Sequence, residues 1–438
     1  MRTPVAALLL LALAAISNAA VPQRALIEAE IERLYPHVEG LYRHFHSNPE
    51  LSQREEKTGK RMAEELRKLN IQVTERVGGH GVVGVLHRGT GPTVLVRGDM
   101  DALPVKEQTG LPYASTVRTT NDQGVEVSVM HACGHDVHIT CLVGVANLLT
   151  RLTNWNGTVV FLAQPAEEFG LGAQAMLKDG LFTKFPKPNY CVALHVNAEL
   201  PVGTIGVTEG YSAANVDSVD ITIRGVGGHG AYPHKTKDPI VLAAQSILAL
   251  QTIVSRERDP LDPAVVTVGS IHGGTKHNIV PDEVQLQLTV RTFTDEMRQQ
   301  VLDTIKRIVA GQAVAAGIPE DRMPTVKVRD DFTPVVYNTP DLVQRLAGVF
   351  RKLIGEEKVV KREPTMGGED FGLLGRTPDK IPICMFSLGS IDPARFEESQ
   401  RTGKGLPSLH SSLYAPVVEP TLRMGLLTMT AAVLDLLK

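Results

Sequence analysis

Cysteine is scarce in this chain, four residues in 438. So few in so long a chain argue against a fold held by disulfides, since a core of this size needs no staple. Cys141, Cys191 and Cys384 sit in apolar surroundings and are expected to be buried thiols. Cys133 lies among histidines and is the exception; were all four paired, three pairings would be open. A surplus of charge of one sign is also missing: 45 Lys and Arg face 48 Asp and Glu, a formal net charge of −3. That gives no electrostatic reason to expect nucleic acid or an anionic membrane as partner. Beyond residue 20 no apolar run looks long enough to span a bilayer.

What is present is an ordinary globular balance, 43% hydrophobic and 21% charged residues, over a length that suggests two or three domains. Residues 1–20 differ. Arg2 precedes an unbroken apolar run, 5–16, and Ser17-Asn18-Ala19 offers a small-x-small cleavage pattern. This reads as a secretory signal peptide, so the mature protein is expected to be exported, periplasmic or secreted.

Periodicity predicts helices over 25–45 and 55–69, short strands at 71–76, 81–87 and 93–98, and a helix over 138–152. A strand at 157–163, a helix at 172–178 and a strand at 190–195 follow. The alternation implies an α/β fold: a mixed, mostly parallel sheet flanked by helices. In such sheets sites gather at the carboxyl ends of strands. Asp99 with Asp101, Glu167 with Glu168, and His195 all fall there. The pattern changes near 214: a strand 216–225, a helix 239–255, strands 264–271 and 283–292, a helix 295–316 and a strand 325–329. That order is β-α-β-β-α-β, a ferredoxin-like α+β unit. After 330 the earlier style resumes, with a helix 340–354, a glycine-rich stretch 366–372, a strand 383–388 and a last helix from Glu419. The expected organisation is a leader (1–20), one catalytic domain in two parts (21–213 and 331–438), and a smaller inserted domain (214–330).

The stretch 130–138 holds three histidines, Cys133 and Asp136, just before the apolar helix. Thiolate, imidazole and carboxylate are the donors a transition metal takes. Alone, the stretch could equally be a surface loop over a buried thiol. Glu167 and Glu168 repel each other as neighbours; a metal would hold one and leave the other free as a base. A solvated acidic turn is the alternative, weakened by the apolar strand leading into the pair. His195 and His410 are unremarkable singly. Together Cys133, His135, Glu168, His195 and His410 exceed what one tetrahedral catalytic zinc needs and suit two ions sharing a ligand.

Five stretches occur in order: Gly98-Asp99-Met100-Asp101-Ala102-Leu103-Pro104, His131-Ala132-Cys133-Gly134-His135-Asp136, Gln164-Pro165-Ala166-Glu167-Glu168, Gly228-His229-Gly230-Ala231-Tyr232-Pro233-His234, and Gly367-Gly368-Glu369-Asp370-Phe371. With them the chain resembles the M20 family of metallopeptidases, in its amidohydrolase branch of hippurate, N-acyl-amino-acid and auxin–amino-acid conjugate hydrolases. The resemblance implies a dinuclear-metal catalytic domain and an inserted lid or dimerisation domain. It puts the metal ligands at Cys133, His135, Glu168, His195 and His410 and the general base at Glu167. His229 would reach the other subunit's site and steady the oxyanion, while Asn278 and Arg291 would face the substrate carboxylate. One departure matters: where many members have His-x-Asp, this chain has Asp99-Met100-Asp101. It leaves open which ligand bridges the metals, and gives Asp101 and Asp136 supporting roles around the ligands.

The expected function is metal-dependent cleavage of N-acyl amino acids, hippurate-like or N-acetylated, with two divalent ions, Zn or Mn, with Co a further option. A dipeptidase or N-carbamoyl-amino-acid hydrolase is the alternative, and a homodimer is expected. A hydrolase using Cys133 as nucleophile would have no need of Glu167, Glu168, His195 and His410 together. A non-catalytic binding protein would be expected to have lost the base or a ligand.

Overall fold

Between residue 23 and the middle of the chain, glycine and polar residues punctuate runs of valine, leucine and isoleucine that become strands or buried helices. In the computed structural model residues 5–330 and 332–438 are described, the side chains of 5–22 excepted. The expected leader therefore lies outside the described side chains. In chain order the elements used below are α1 (Val5–Ser47), α2 (Glu56–Arg67), β1 (Gln72–Val77), β2 (Gly81–Arg88), β3 (Thr93–Asp99), α3 (His135–Arg151), β4 (Gly157–Gln164), α4 (Gly172–Lys178), β5 (Tyr190–Pro201) and β6 (Ile205–Val207). Then come β7 (Asn215–Arg224), β8 (Gly228–His229), α5 (Pro239–Arg256), β9 (Ala264–Gly273), β10 (Ile279–Val280), β11 (Glu283–Thr292), α6 (Asp295–Ala315) and β12 (Thr325–Val328). The chain ends with α7 (Pro340–Ile354), β13 (Val359–Lys361), β14 (Ile383–Ile391), α8 (Pro393–Thr402) and α9 (Val418–Leu436).

The chain divides into two compact units, one of Met1–Gly210, Tyr337–Glu363 and Phe371–Lys438, the other of Tyr211–Val336 and Pro364–Asp370. The glycine-rich segment thus falls mostly with the inserted unit. Backbone bonds anchor it there: Ala214 donates to the Gly367 carbonyl at 2.9 Å and Thr365 to that of Ser212 at 2.9 Å.

The first unit is built on an eight-stranded sheet in the order β1-β2-β4-β3-β5-β14-β6-β13. Its centre, β4, β3, β5 and β14, is parallel. Every residue of β4 is buried, the mark of a strand covered on both faces. α1 presents Ile27, Ile31, Leu34, Val38, Leu41 and Phe45 to the core at helical spacing. α3 is buried along nearly its whole length and begins at His135, three residues before its apolar periodicity does.

The second unit carries a four-stranded antiparallel sheet, β9-β11-β7-β12. Two helices with side-chain caps serve it. Asp238 accepts from the Ile240 N–H before Pro239 opens α5, and Thr294 accepts from Met297 at the start of α6. Contrary to the reading of the later runs, α5 has the length and apolarity to cross a membrane. It instead lays Leu242, Ala243, Ser246, Leu250 and Ile253 into this unit, leaving Val241 and Leu248 on its exposed side.

Candidate active site

Two strand ends and a point part-way along a third strand set the floor of the site. Asp99 ends β3 opposite Gln164 of β4, and Arg97 of β3 pairs with Ala193 of β5. Two residues further on, His195 is therefore level with Asp99. β5 does not stop there, as its apolar run suggested. It continues to Pro201 because β14, almost two hundred residues later, goes on pairing with it.

The Cys133-Gly134-His135 turn brings two more donors to the same level. Gly134 has φ +79°, and a Cβ on it would lie 2.4 Å from the Val196 side chain, so glycine alone fits. His135 then opens α3 with its Nδ1–H on the Asp101 carbonyl at 2.9 Å, which leaves Nε2 aimed into the cluster. That nitrogen has no hydrogen-bond partner. Around it stand Asp99 Oδ2 at 3.5 Å, Glu167 Oε2 at 3.8 Å and Glu168 Oε1 at 3.9 Å. Cys133 Sγ is 3.7 Å from His195 Nε2, and the His195 Nδ1–H is fixed on the Val196 carbonyl at 2.8 Å. His410 Nε2 lies 3.5 Å from Glu168 Oε2. The His410 backbone is held in the left-handed region, φ +68°, with its N–H on the Ala132 carbonyl. A non-glycine residue kept there is strained, a common state of site residues.

All five expected donors and Glu167 thus converge in the first unit. Ligand atoms of Cys133, Glu168 and His410 lie within 4.8 Å of one another, as do those of His135, Glu167 and Glu168, and those of Asp99, His135, His138 and His195. Two of these, Asp99 and His138, were left out of the expected ligand set. His138 is no free donor: its Nδ1 meets Asp99 Oδ1 at 2.6 Å and its Nε2 accepts the Val196 N–H at 2.9 Å. It ties β3 to β5 beneath the donors. Its position three residues after His135 on a helix was the signal for that shared face. Asp99 also pairs with Arg97 at 2.6 Å.

Asp101 stands directly behind the donors, accepting the Glu168 N–H at 2.9 Å and the Ser52 hydroxyl at 2.6 Å. Asp136 does not contact them. Its carboxylate bonds His46 Nδ1 at 2.7 Å and the Val137 N–H, and His46 Nε2 bonds Glu107 at 3.0 Å. Helix α3 carries His135 inward and Asp136 toward α1, so the expected support of a ligand by Asp136 becomes support of the helix start.

Burial and charge set the protonation of these groups. Burial pushes Glu168 up to about 7, with Asp101 and Asp99 adding to it and His135 opposing. Burial opposes the charge on His135, yet Asp99, Cys133 and Asp101 together outweigh it and hold the imidazole well above its usual range. Several carboxylate oxygens therefore face one nitrogen lone pair, a conflict that either a proton or a cation relieves. Separations of 3.5–3.9 Å are too long for good hydrogen bonds. They are close to the roughly 3.4 Å that ligands about 2.1 Å from one tetrahedral ion leave between them. The orphaned, buried His135 Nε2 and Glu168 Oε1 add to the case. The residues fit a divalent metal.

The three other expected residues lie in the second unit. His229 of β8 pairs with Ile279 of β10, and Gly230 donates to the Asn278 carbonyl, so His229 and Asn278 are neighbours on an exposed ladder. Arg291 is elsewhere. It sits near the far end of β11, half-buried, with Nε on Thr289 and Nη1 on the Met366 carbonyl. Eight residues of strand separate it from Glu283, about 27 Å.

Residues 95–398 match the model of Peptidase family M20/M25/M40. The chain is 36% identical over 393 residues to thermostable carboxypeptidase 2 of Saccharolobus solfataricus, covering 88% of this chain and 92% of that one. It is 38% identical over 349 residues to the hippurate hydrolase of Campylobacter jejuni, covering 78% and 86%. Among solved structures it is similar to the Bacillus subtilis YXEP protein, described as a dinuclear metal binding peptidase from the M20 family. That likeness has a TM-score of 0.74 at 30% identity and covers 93% of this chain and 99% of that one. With family model, relatives and fold in agreement, this chain belongs to peptidase family M20/M25/M40, in its amidohydrolase branch, and is a hydrolase of amide bonds.

Proposed function

We propose that the enzyme cleaves N-acyl amino acids with two divalent ions and with Glu167 as general base. The observation that carries this is the unlike placement of two adjacent carboxylates. Glu168 has its backbone N–H on Asp101 and its carboxylate toward His410 and Cys133. Glu167 stands 3.8 Å from His135 Nε2 and outside the group of Cys133, Glu168 and His410, and this reading makes it the base. Hippurate is an amide whose nitrogen side ends in a free carboxylate, and a carboxypeptidase substrate shares that feature. Arg291 and Asn278 suit that group, since guanidinium grips carboxylate in a fork.

Cys133, His135, Glu168, His195 and His410 would hold the metals; thiolate and imidazole favour Zn, while Mn and Co also suit the set. When bound, such ions supply Lewis acidity and lower the pKa of a water. Glu167 takes a proton from the attacking water and passes it to the departing amine. His229 steadies the negative oxygen that develops on the acyl carbon.

Arg291 lies near one end of β11 and the separate β8–β10 ladder that carries His229 adjoins the other, too far apart to grip one small substrate from a single unit. A two-fold dimer removes the difficulty, one chain supplying Arg291 and its partner His229 and Asn278. The exposed side of α5 and the long edge strand β9 are surfaces that such a dimer would cover. Export by the 1–20 leader completes the reading.

The test is metal analysis of the purified protein beside rates on N-acyl amino acids, dipeptides and N-carbamoyl amino acids. About two ions per chain and fastest turnover of N-acyl substrates are expected. A preference for dipeptides or carbamoyl compounds would move the enzyme to the alternative substrate class, and a metal-free active protein would end the proposal.

A further inference from the structure

Glu55 is fully buried, belongs to no group assigned above, and sits 111 residues from the backbone it touches. Its Oε1 accepts the Ala166 N–H at 2.7 Å, and its Oε2 has no partner. Ala166 is the residue before Glu167 and is held at φ +50°, the left-handed region that a residue with a Cβ avoids. A turn in that conformation persists only when its surroundings over-determine it.

Those surroundings close on it from several directions. The Ala166 carbonyl accepts Leu171 and Gly172 at 3.2 and 3.1 Å, and the Glu167 carbonyl accepts Gly170 at 2.6 Å. Gly172 comes so close that a Cβ on it would lie 1.6 Å from the Pro165 carbonyl oxygen. On the other side the turn hangs from two buried carboxylates. Glu55 takes the N–H of Ala166 and Asp101 takes that of Glu168. Glu167 is the residue between those two anchors. Glu55 itself is fixed at the start of α2, where its carbonyl accepts the Gly59 N–H at 2.8 Å.

We propose that Glu55 is a positioning residue: by holding the Ala166 N–H it keeps the strained turn closed and sets where the Glu167 carboxylate stands. The inference rests on the reading of Glu167 as the base. It makes Glu55 act through the turn alone, without touching substrate or metal.

The experiment measures kcat, KM and metal content of the metal-loaded enzyme for Glu55→Gln and Glu55→Ala on the best N-acyl substrate. Glutamine keeps an acceptor oxygen and should stay within a few-fold of wild type. Alanine strands a buried N–H and frees the turn. Its kcat should fall about 10- to 100-fold, the cost of a base displaced by about an ångström, with KM and metal content little changed. If Glu55→Ala does not fold, Glu55→Asp withdraws the acceptor by one methylene and should show the same selective loss of kcat. Wild-type kcat in the alanine or aspartate variant overturns the proposal, and so does a loss that tracks only with lost metal or raised KM. Glu167→Gln run alongside separates the two ideas. Full turnover there removes the base reading itself, whereas a dead Glu167→Gln beside an unaffected Glu55→Ala removes only the positioning role.

Discussion

The candidate metal donors of the first unit and the substrate contacts proposed for the second are built in opposite ways. Cys133, His135 and Glu167 are buried, on turns fixed by left-handed residues and by glycines that nothing larger can replace. His229 and Asn278 are exposed, on a ladder of two residues per strand. A metal site needs its ligands held before the ion arrives, because each ångström of slack weakens several bonds at once. Contacts that close on a substrate need only come within reach when it binds. The difference teaches that the candidate metal donors are all gathered within one unit, while the residues proposed to recognise the substrate are spread too far apart to act from one place.

The largest effects should come from breaking the rigid half. Glu167→Gln is expected to keep its metal and lose about 10²–10⁴-fold in turnover. Cys133→Ser should weaken metal binding, with activity partly restored by excess metal. Metal content and kcat measured on the same preparations decide between them. Loss of metal in Glu167→Gln would mean that the roles of the two glutamates are reversed. An acyl group found on Cys133 by mass spectrometry would replace the metal mechanism with a thiol nucleophile.

The looser half can be tested by complementation. His229→Ala and Glu167→Gln should each be inactive alone. Mixed under conditions that allow subunit exchange, they should regain activity, since sharing across a dimer places both lesions in one site and leaves the other intact. A mixture that stays inactive puts His229 back in its own chain's site. A monomer at working concentration would leave closure of the inserted unit as the route.

This contrast also marks what could be read from the sequence. The order β7-α5-β9-β11-α6-β12 follows from periodicity, because β7 and β11 alternate buried with more open residues and α5 and α6 keep helical spacing. Bounds such as Pro340–Ile354 of α7 are legible for a local reason: proline opens the helix and Gly355, at φ +103°, ends it. The start of α3 was missed because Gly134 begins the helix by its backbone conformation, which apolar spacing does not record. The length of β5 was missed because β14 sustains it from far away. Glu55, His46 and Glu107 were invisible as partners of the site. Their contacts span 61 to 111 residues and follow no motif. The sequence shows which side chains can bind a metal, but not which distant ones hold them in place.

The smallest effect is one of stability, and it separates the two regions by pH. His46 lies between Asp136 and Glu107, beneath the Tyr42 hydroxyl and the Tyr113 ring, with His131 nearby. Burial opposes its charge, but the bonds to the two carboxylates win and raise it to about 10. A histidine raised in the folded state holds its proton there when the unfolded chain, near 6.5, has lost its own. Its contribution is therefore fully present below about pH 6.5 and is lost as the pH climbs through about 10. His46→Gln should lower Tm most near pH 6, and the gap to wild type should narrow steadily toward pH 10. His138, pushed down to about 3 chiefly by burial, is neutral throughout that window and supplies no such slope. His229→Ala, at an exposed side chain of the other unit, should barely move Tm at any pH in the range. Melting curves of wild type and both variants from pH 6 to 10 check this. A His46→Gln deficit that stays constant across the range would mean that packing, and not a charge shared between two carboxylates, is what His46 supplies to the start of α3.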